Sequence, residues 1–132
     1  MLVSWDENHT LGNDIIDRGH HLVIEAVNCL NAAVTSADAH TVTGRWLPVL
    51  STELTRQFEH EAALMTLSRH AARAEHEAEH AKFLEVLATL SADFARGEDV
   101  SNVLLMNLVC FLGSHLRGTD HDTFAPPMAL AA

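Results

Sequence analysis

Ten histidines occur in 132 residues, and the first question is which of them share a face with carboxylates. His76 and His80 stand four apart, so both imidazoles leave the same side of one helix and can converge on one metal ion. Phe83, Leu84 and Leu87 continue that face, which turns the pair toward a core. On a later helix His115 follows Leu104, Leu108, Phe111 and Leu112 on one side. Asp120 comes five residues after it, just beyond the expected helix end, where a carboxylate could fold back toward an ion. Gln57 and Glu61 are four apart, with Leu50 and Leu54 below and Leu64 and Met65 above. On the first helix the expected apolar stripe is Ile24, Val27 and Val34, with Asn31 between. Four residues back from Ile24 lies His20, whereas His21 falls on the face shared with Glu25 and Asn28.

Taken singly, each of these residues has a bland reading. A lone inward histidine is more often a satisfied core residue than a ligand, and a pair at helical spacing arises by chance on surface helices. The combination is harder to dismiss. Four imidazoles and two carboxylates in one interior would be very costly without a shared partner. Metal ions remove that cost, and nitrogen and oxygen donors without thiolate suit iron better than a structural zinc. Two carboxylates among the donors point to bridging between two ions, although spacing by itself reaches only a metal centre.

Helices must position these groups. The length is that of one domain with a core of its own, and 48% of the residues are apolar. Helical periodicity dominates and no stretch alternates as a strand would, which predicts helices over about 18–36, 41–66, 70–95 and 101–117. Gly97 is expected just past the third helix, with Asp99 or Ser101 capping the fourth. Pro48 is expected in the early turns of the second helix, where it kinks the axis. Residues 1–16 read as an ordered arm packing through Trp5, Leu11, Ile15 and Ile16, and residues 121–132 as a closing tail that frays after Phe124, where Pro126-Pro127 stand. Short connections between long helices imply an all-α, antiparallel up-down-up-down four-helix bundle.

The formal charge is -10, which disfavours nucleic acid or an anionic membrane surface as partner, because both reward a basic face. No run of about 18 uncharged apolar residues could span a membrane. The start, Met1-Leu2-Val3-Ser4-Trp5-Asp6-Glu7, lacks the basic and apolar regions of a signal peptide. Cys29 and Cys110 fall in apolar helical stretches and are expected as small buried hydrophobes in a reduced compartment. A cytoplasmic location is the expectation.

Together these residues resemble the hemerythrin family over nearly the whole chain. The family's opening pattern is matched by Trp5, Leu11-Gly12 and Ile16-Asp17-Arg18-Gly19-His20, and its Asn-x-Leu by Asn28 and Leu30. His76-x-x-x-His80-x-x-Phe83 and His115-x-x-x-x-Asp120 match in type and spacing, and Met65 fits the register set by Glu61. The resemblance implies a centre of two non-haem irons with an oxo or hydroxo bridge. His76, His80 and His115 would hold one iron, Glu61 and Asp120 would bridge both, and His20 would hold the second, where dioxygen arrives. It implies binding, carriage or sensing of dioxygen or a related small ligand, with Phe58 and Phe111 lining the ligand pocket. A sensing role would need a signalling protein partner, because no signalling domain is present.

One position departs from the family. Its middle motif is His-Phe-x-x-Glu, and this chain has Gln57-Phe58-Glu59-His60-Glu61. His60 cannot substitute, because a motif starting there would put Leu64 at the bridging position, and it lies about 100° round the helix from Glu61. His60 is therefore expected to face outward. Gln57 can be a weak ligand, can leave a position to water and hydrogen-bond what binds there, or can weaken the second site; the middle option is preferred. An open position at a redox metal suits a reactive or sensing site. The expectation is that dioxygen is held less stably than in relatives with the extra histidine.

Other readings compete. Redox catalysis by an opened second iron site, as oxidase or peroxidase or in nitric oxide handling, is the main alternative to ligand binding without catalysis. His76-Glu77-Ala78-Glu79-His80 also satisfies the His-Glu-x-x-His pattern of zinc proteases, with Glu77 as general base, but that reading leaves His20, Glu61, His115 and Asp120 without a role. A ferritin-like centre needs two Glu-x-x-His helices, and only Glu77-x-x-His80 is present. A bundle that has lost its metal and acts through contacts is the blandest case.

Overall fold

The computed structural model describes residue 3 and residues 11–124; Trp5 and the tail from residue 125 onward lie outside the described residues. Helix α1 runs Asp14–Ala33. It begins four residues before the expected start because Asn13, in an extended conformation, caps it: its side-chain oxygen accepts from Ile15 N and Ile16 N, both at 3.1 Å. Asp14 and Asp17 in the first turn face the positive end of the helix dipole. The buried stripe is Ile16, His20, Val23, Ile24, Val27 and Leu30. Asn31 is exposed, so the stripe runs one position ahead of the expected Asn31–Val34 end.

Helix α2, Ala39–Ser68, is stopped by Arg69 in the left-handed conformation (φ 53). Pro48 lies well inside it and not in its early turns. Helix α3, Arg73–Ala95, ends where Gly97 takes φ 89, a conformation that favours glycine. Helix α4, Ser101–Phe111, follows Asp99, whose side chain accepts from the Ser101 amide and hydroxyl at 3.1 and 2.7 Å. The chain then widens into a π-helical segment, Leu112–Asp120, and closes with the short α5, His121–Phe124. The expected fraying after Phe124 lies outside the described residues, whereas the part of the tail up to Phe124 is helical. Thr123 donates to the Thr119 carbonyl at 2.8 Å, and the Phe124 ring meets His76 with centroids 5.5 Å apart.

Among the described residues there are helices and no strands. α1 packs on α2 and α4, and α3 packs on the same two helices, which closes a four-helix bundle. Its core has two parts. Leu50, Leu54, Leu87, Leu104 and Leu108, each at most 1% exposed, fill an apolar layer with Val23, Val27 and Leu30. Apart from Thr43 and Ser101, the buried polar residues fall in the N-terminal halves of α1 and α3 and in the C-terminal halves of α2 and the α4–π unit. Only antiparallel helices bring those four ends together.

The arm is pinned by two side chains from α1. Asn28 accepts from Val3 N at 2.8 Å and donates to Val3 O at 2.7 Å, and Asp17 accepts from Leu11 N at 2.7 Å. Leu11 and Ile16 are buried, but Ile15 is 46% exposed and does not pack inward. Both cysteines are exposed, contrary to expectation. Cys29 is two residues from Val27, about 200° round the helix from the buried stripe. Cys110 stands in the same relation to Leu108. No described helix is long and apolar enough to cross a membrane.

Candidate metal centre

At the polar end of the bundle Glu61, His76, His80, His115 and Asp120 are all buried, and one potential ligand atom from each lies within 4.8 Å of all the others. α2 supplies Glu61, α3 the two histidines four apart, and the π segment the last two residues. The π winding explains how Asp120 arrives. In an α-helix a residue five positions on points about 140° away. Closing each turn from i to i+5 brings it back toward the same face. The expected position of Asp120 beyond the regular helix is therefore replaced by one in the last turn of a wider helix.

The four imidazoles turn Nε2 inward. His76 Nε2 lies 3.2 Å from Glu61 Oε1 and 2.8 Å from Asp120 Oδ1. His80 Nε2 is 3.2 Å from Glu61 Oε1 and 2.9 Å from His115 Nε2, and His115 Nε2 is 3.2 Å from Asp120 Oδ1. His20 stands outside the five-residue group but touches it, with Nε2 3.0 Å from Asp120 Oδ2. Gln57, 3% exposed, donates its amide Nε2 to Glu61 Oε2 at 2.7 Å. Each carboxylate thus divides its oxygens: one toward His76, His80 and His115, the other toward His20 or Gln57.

A cation fits this arrangement better than hydrogen bonds alone. Ligand atoms about 2.1 Å from a common centre, at right angles, sit about 3.0 Å apart, close to the spacings found. Asp120 Oδ1, fully buried, has two nitrogens within 3.2 Å but no partner in hydrogen-bond alignment. Two imidazoles are also set for metal binding from behind. His76 Nδ1 lies 3.0 Å from the Thr123 hydroxyl, which itself donates to Thr119 O and so accepts from His76. His115 Nδ1 donates to Glu79 Oε1 at 2.8 Å, and Thr119 donates to the same carboxylate. Both tautomers leave the Nε2 lone pair facing inward.

The charges reinforce one another. Burial alone would lower the pKa of His76, but the carboxylates of Asp120 and Glu61 outweigh it and raise it from 6.5 to about 9. His115 is raised against burial by Asp120 and Glu79. Burial would raise Asp120, yet His115, His20 and His76 hold it far below the usual carboxylate range. Glu79 is lowered against its partial burial by His115 and Thr119. In the metal-free chain protons balance these carboxylates. A bound cation would take their place.

Phe58 stacks on the His80 ring (centroids 3.8 Å, interplanar 3°) and Phe111 on that of His115 (4.6 Å, 9°), so both pack directly on imidazoles of the cluster. His60 is half-buried, with Nε2 shielded from solvent, and not outward-facing as expected. It lies outside the five-residue cluster and lines the groove between α1 and α2. Glu77 pairs with Arg73 at 4.0 Å on an open face, so it is no general base beside the His76–His80 pair, and the protease reading loses its base. Sequence reasoning missed Glu79, Thr119 and Thr123. Glu79 directly precedes His80, but its partner is His115, 36 residues away, and local periodicity carries no trace of that pairing.

No family profile matches the chain. A bacteriohemerythrin of Stenotrophomonas maltophilia (strain R551-3) is 31% identical over 119 residues, 90% of this chain and 77% of that protein.

Proposed function

The chain belongs to the hemerythrin family, and from that premise we propose that it is a non-haem diiron protein binding dioxygen or a related small ligand. The observation that carries this reading is the division of the carboxylate oxygens. Asp120 Oδ1 faces His76 and His115 while Oδ2 faces His20. Glu61 Oε1 faces His76 and His80 while Oε2 faces Gln57. Residues split in this way would suit two ions side by side, shared by Glu61 and Asp120. His76, His80 and His115 would hold one ion, and His20 would hold the second.

A pair of irons supplies redox chemistry and a coordination position for an exogenous ligand. The chain's own residues do the rest. Glu79 and Thr123 fix the tautomers of His115 and His76. Phe58 and Phe111 cover two imidazoles and keep water from them. Gln57 in place of a fifth imidazole leaves the second side less crowded, with its amide N–H holding Glu61. The position so opened favours a ligand that exchanges.

Elemental analysis with visible spectroscopy tests the proposal. About two irons per chain, with oxo-bridge absorption that azide shifts, is the expected result. Zinc in place of iron, or a metal-free protein that takes up no iron, refutes it.

A further inference from the structure

Gly19 stands inside α1, directly before His20. Glycine weakens a helix interior relative to alanine, so its presence there asks for a reason. A left-handed backbone is not the reason, because among the described residues the glycines with positive φ are Gly12 and Gly97. Close approach is. A Cβ built on Gly19 would overlap the Oε1 and Cδ atoms of Gln57 and lie 3.0 Å from its Nε2. The amide of Gln57, carried by α2, thus occupies the space that a side chain at position 19 would fill.

That amide is held differently at its two ends. Nε2 donates to Glu61 Oε2 at 2.7 Å, whereas the buried Oε1 has no hydrogen-bond partner among the described residues. Turned over, the amide would set its oxygen against an ionised carboxylate, two acceptors with no proton between them. One end is therefore fixed by a hydrogen bond to Glu61, and the other by shape against the bare backbone of Gly19. We propose that Gly19 is a positioning residue of the metal centre, its missing side chain being the slot that keeps the Gln57 amide on Glu61. Position 57 then acts as a pair with position 19, and a methyl at 19 releases Glu61 Oε2. The slot and its hold on Glu61 stand on geometry alone; what they do for an iron rests on the diiron reading. A displaced amide has somewhere to go, because Gly19 and Gln57 both border the α1–α2 groove of ≈ 530 Å³. Gly19→Ala is therefore expected to fold.

The test compares the parent with Gly19→Ala, Gln57→Ala and the double variant. In metal-free protein the Gln57 side-chain NH2 signals, identified by their absence in Gln57→Ala, are followed by nuclear magnetic resonance in D2O. They are expected to exchange at least about tenfold faster in Gly19→Ala than in the parent, that ratio being what a hydrogen bond to a charged group contributes. Chelator competition on the iron-loaded forms is the second readout. Gly19→Ala and Gln57→Ala are each expected to release iron at chelator concentrations about tenfold or more below the parent. The double variant is expected to match Gln57→Ala, since without the amide the new methyl displaces nothing. Equal exchange rates in the parent and Gly19→Ala, or equal iron retention, overturn the proposal. So does a double variant that loses iron more readily than Gln57→Ala, because the methyl would then act through His20 and not through the amide. If Gly19→Ala unfolds the chain, the double variant decides: a recovered fold places the clash in the amide, and continued unfolding overturns the proposal. A parent that takes up no iron removes the diiron reading, and the exchange comparison alone then decides whether Gly19 seats Gln57.

Discussion

At the scale of single residues, the chemistry of the centre depends on groups that never touch a metal. Glu79 receives the Nδ1 proton of His115 at 2.8 Å and is itself held by Thr119 at 2.9 Å. Removing such an outer partner lowers metal affinity about 10–100-fold in comparable sites. Glu79→Ala is therefore expected to lose iron to a competing chelator at concentrations about 10–100-fold lower than the parent, with helix content unchanged by circular dichroism. Unchanged iron retention would mean that Glu79 does not orient His115. Gln57 poses the opposite case. Gln57→His adds an imidazole to the side held only by His20, so the variant is expected to keep more iron per chain through chelator dialysis and to bind azide more weakly. Equal iron content and equal azide affinity would show that position 57 does not control the open side.

At the scale of elements, helix ends decide where the donors point. Asn13 satisfies two amides of α1 at 3.1 Å each, and α1 carries His20 about two turns later. Asn13→Ala is expected to lower stability by about 1 kcal/mol, read as a fall in the denaturation midpoint at constant denaturant slope. No shift would place the capping load elsewhere, on Asp17 and its bond to Leu11 N. The π segment is the second such device. Periodicity does not reveal it, because a π turn differs from an α turn by one residue in hydrogen bonding and leaves the apolar spacing of Leu104, Leu108, Phe111 and Leu112 intact. Helix class and the inward faces of α3 and α4 were legible, since burial follows the 3.6-residue period closely there. In α1 the expected stripe runs one residue late and puts Asn31 on the buried face that Leu30 occupies. The two cysteines failed differently: they lie in apolar surroundings but on the opposite side of their helices.

At the scale of the whole molecule, the polar end of the bundle ties stability to metal and to pH. In the metal-free chain His76 is raised from 6.5 to about 9. A raised imidazole adds stability that is complete below 6.5 and disappears as pH climbs through 9. Metal-free protein is therefore expected to lose stability between those values. Iron-loaded protein, whose inward Nε2 atoms carry no proton, is expected to hold its stability there. Thermal denaturation of both forms across that range checks this, and a metal-free form that gains stability with rising pH would contradict it. The candidate ligands converge only in the folded chain, so removing bound metal is also expected to lower the melting temperature at every pH.

The sequence by itself determined that this chain is an all-α bundle with histidines and carboxylates on inward faces, because those properties follow from local spacing along single helices. It also carried the hemerythrin pattern and the departure at Gln57. Tertiary structure alone decided the rest. Which oxygen of Glu61 or Asp120 meets which helix, the pairing of Glu79 with His115, the half-burial of His60, and the fit of Gln57 against Gly19 all depend on contacts between segments far apart in sequence. Such contacts are set by how four helices pack at one end of a bundle, and no period within one helix encodes them.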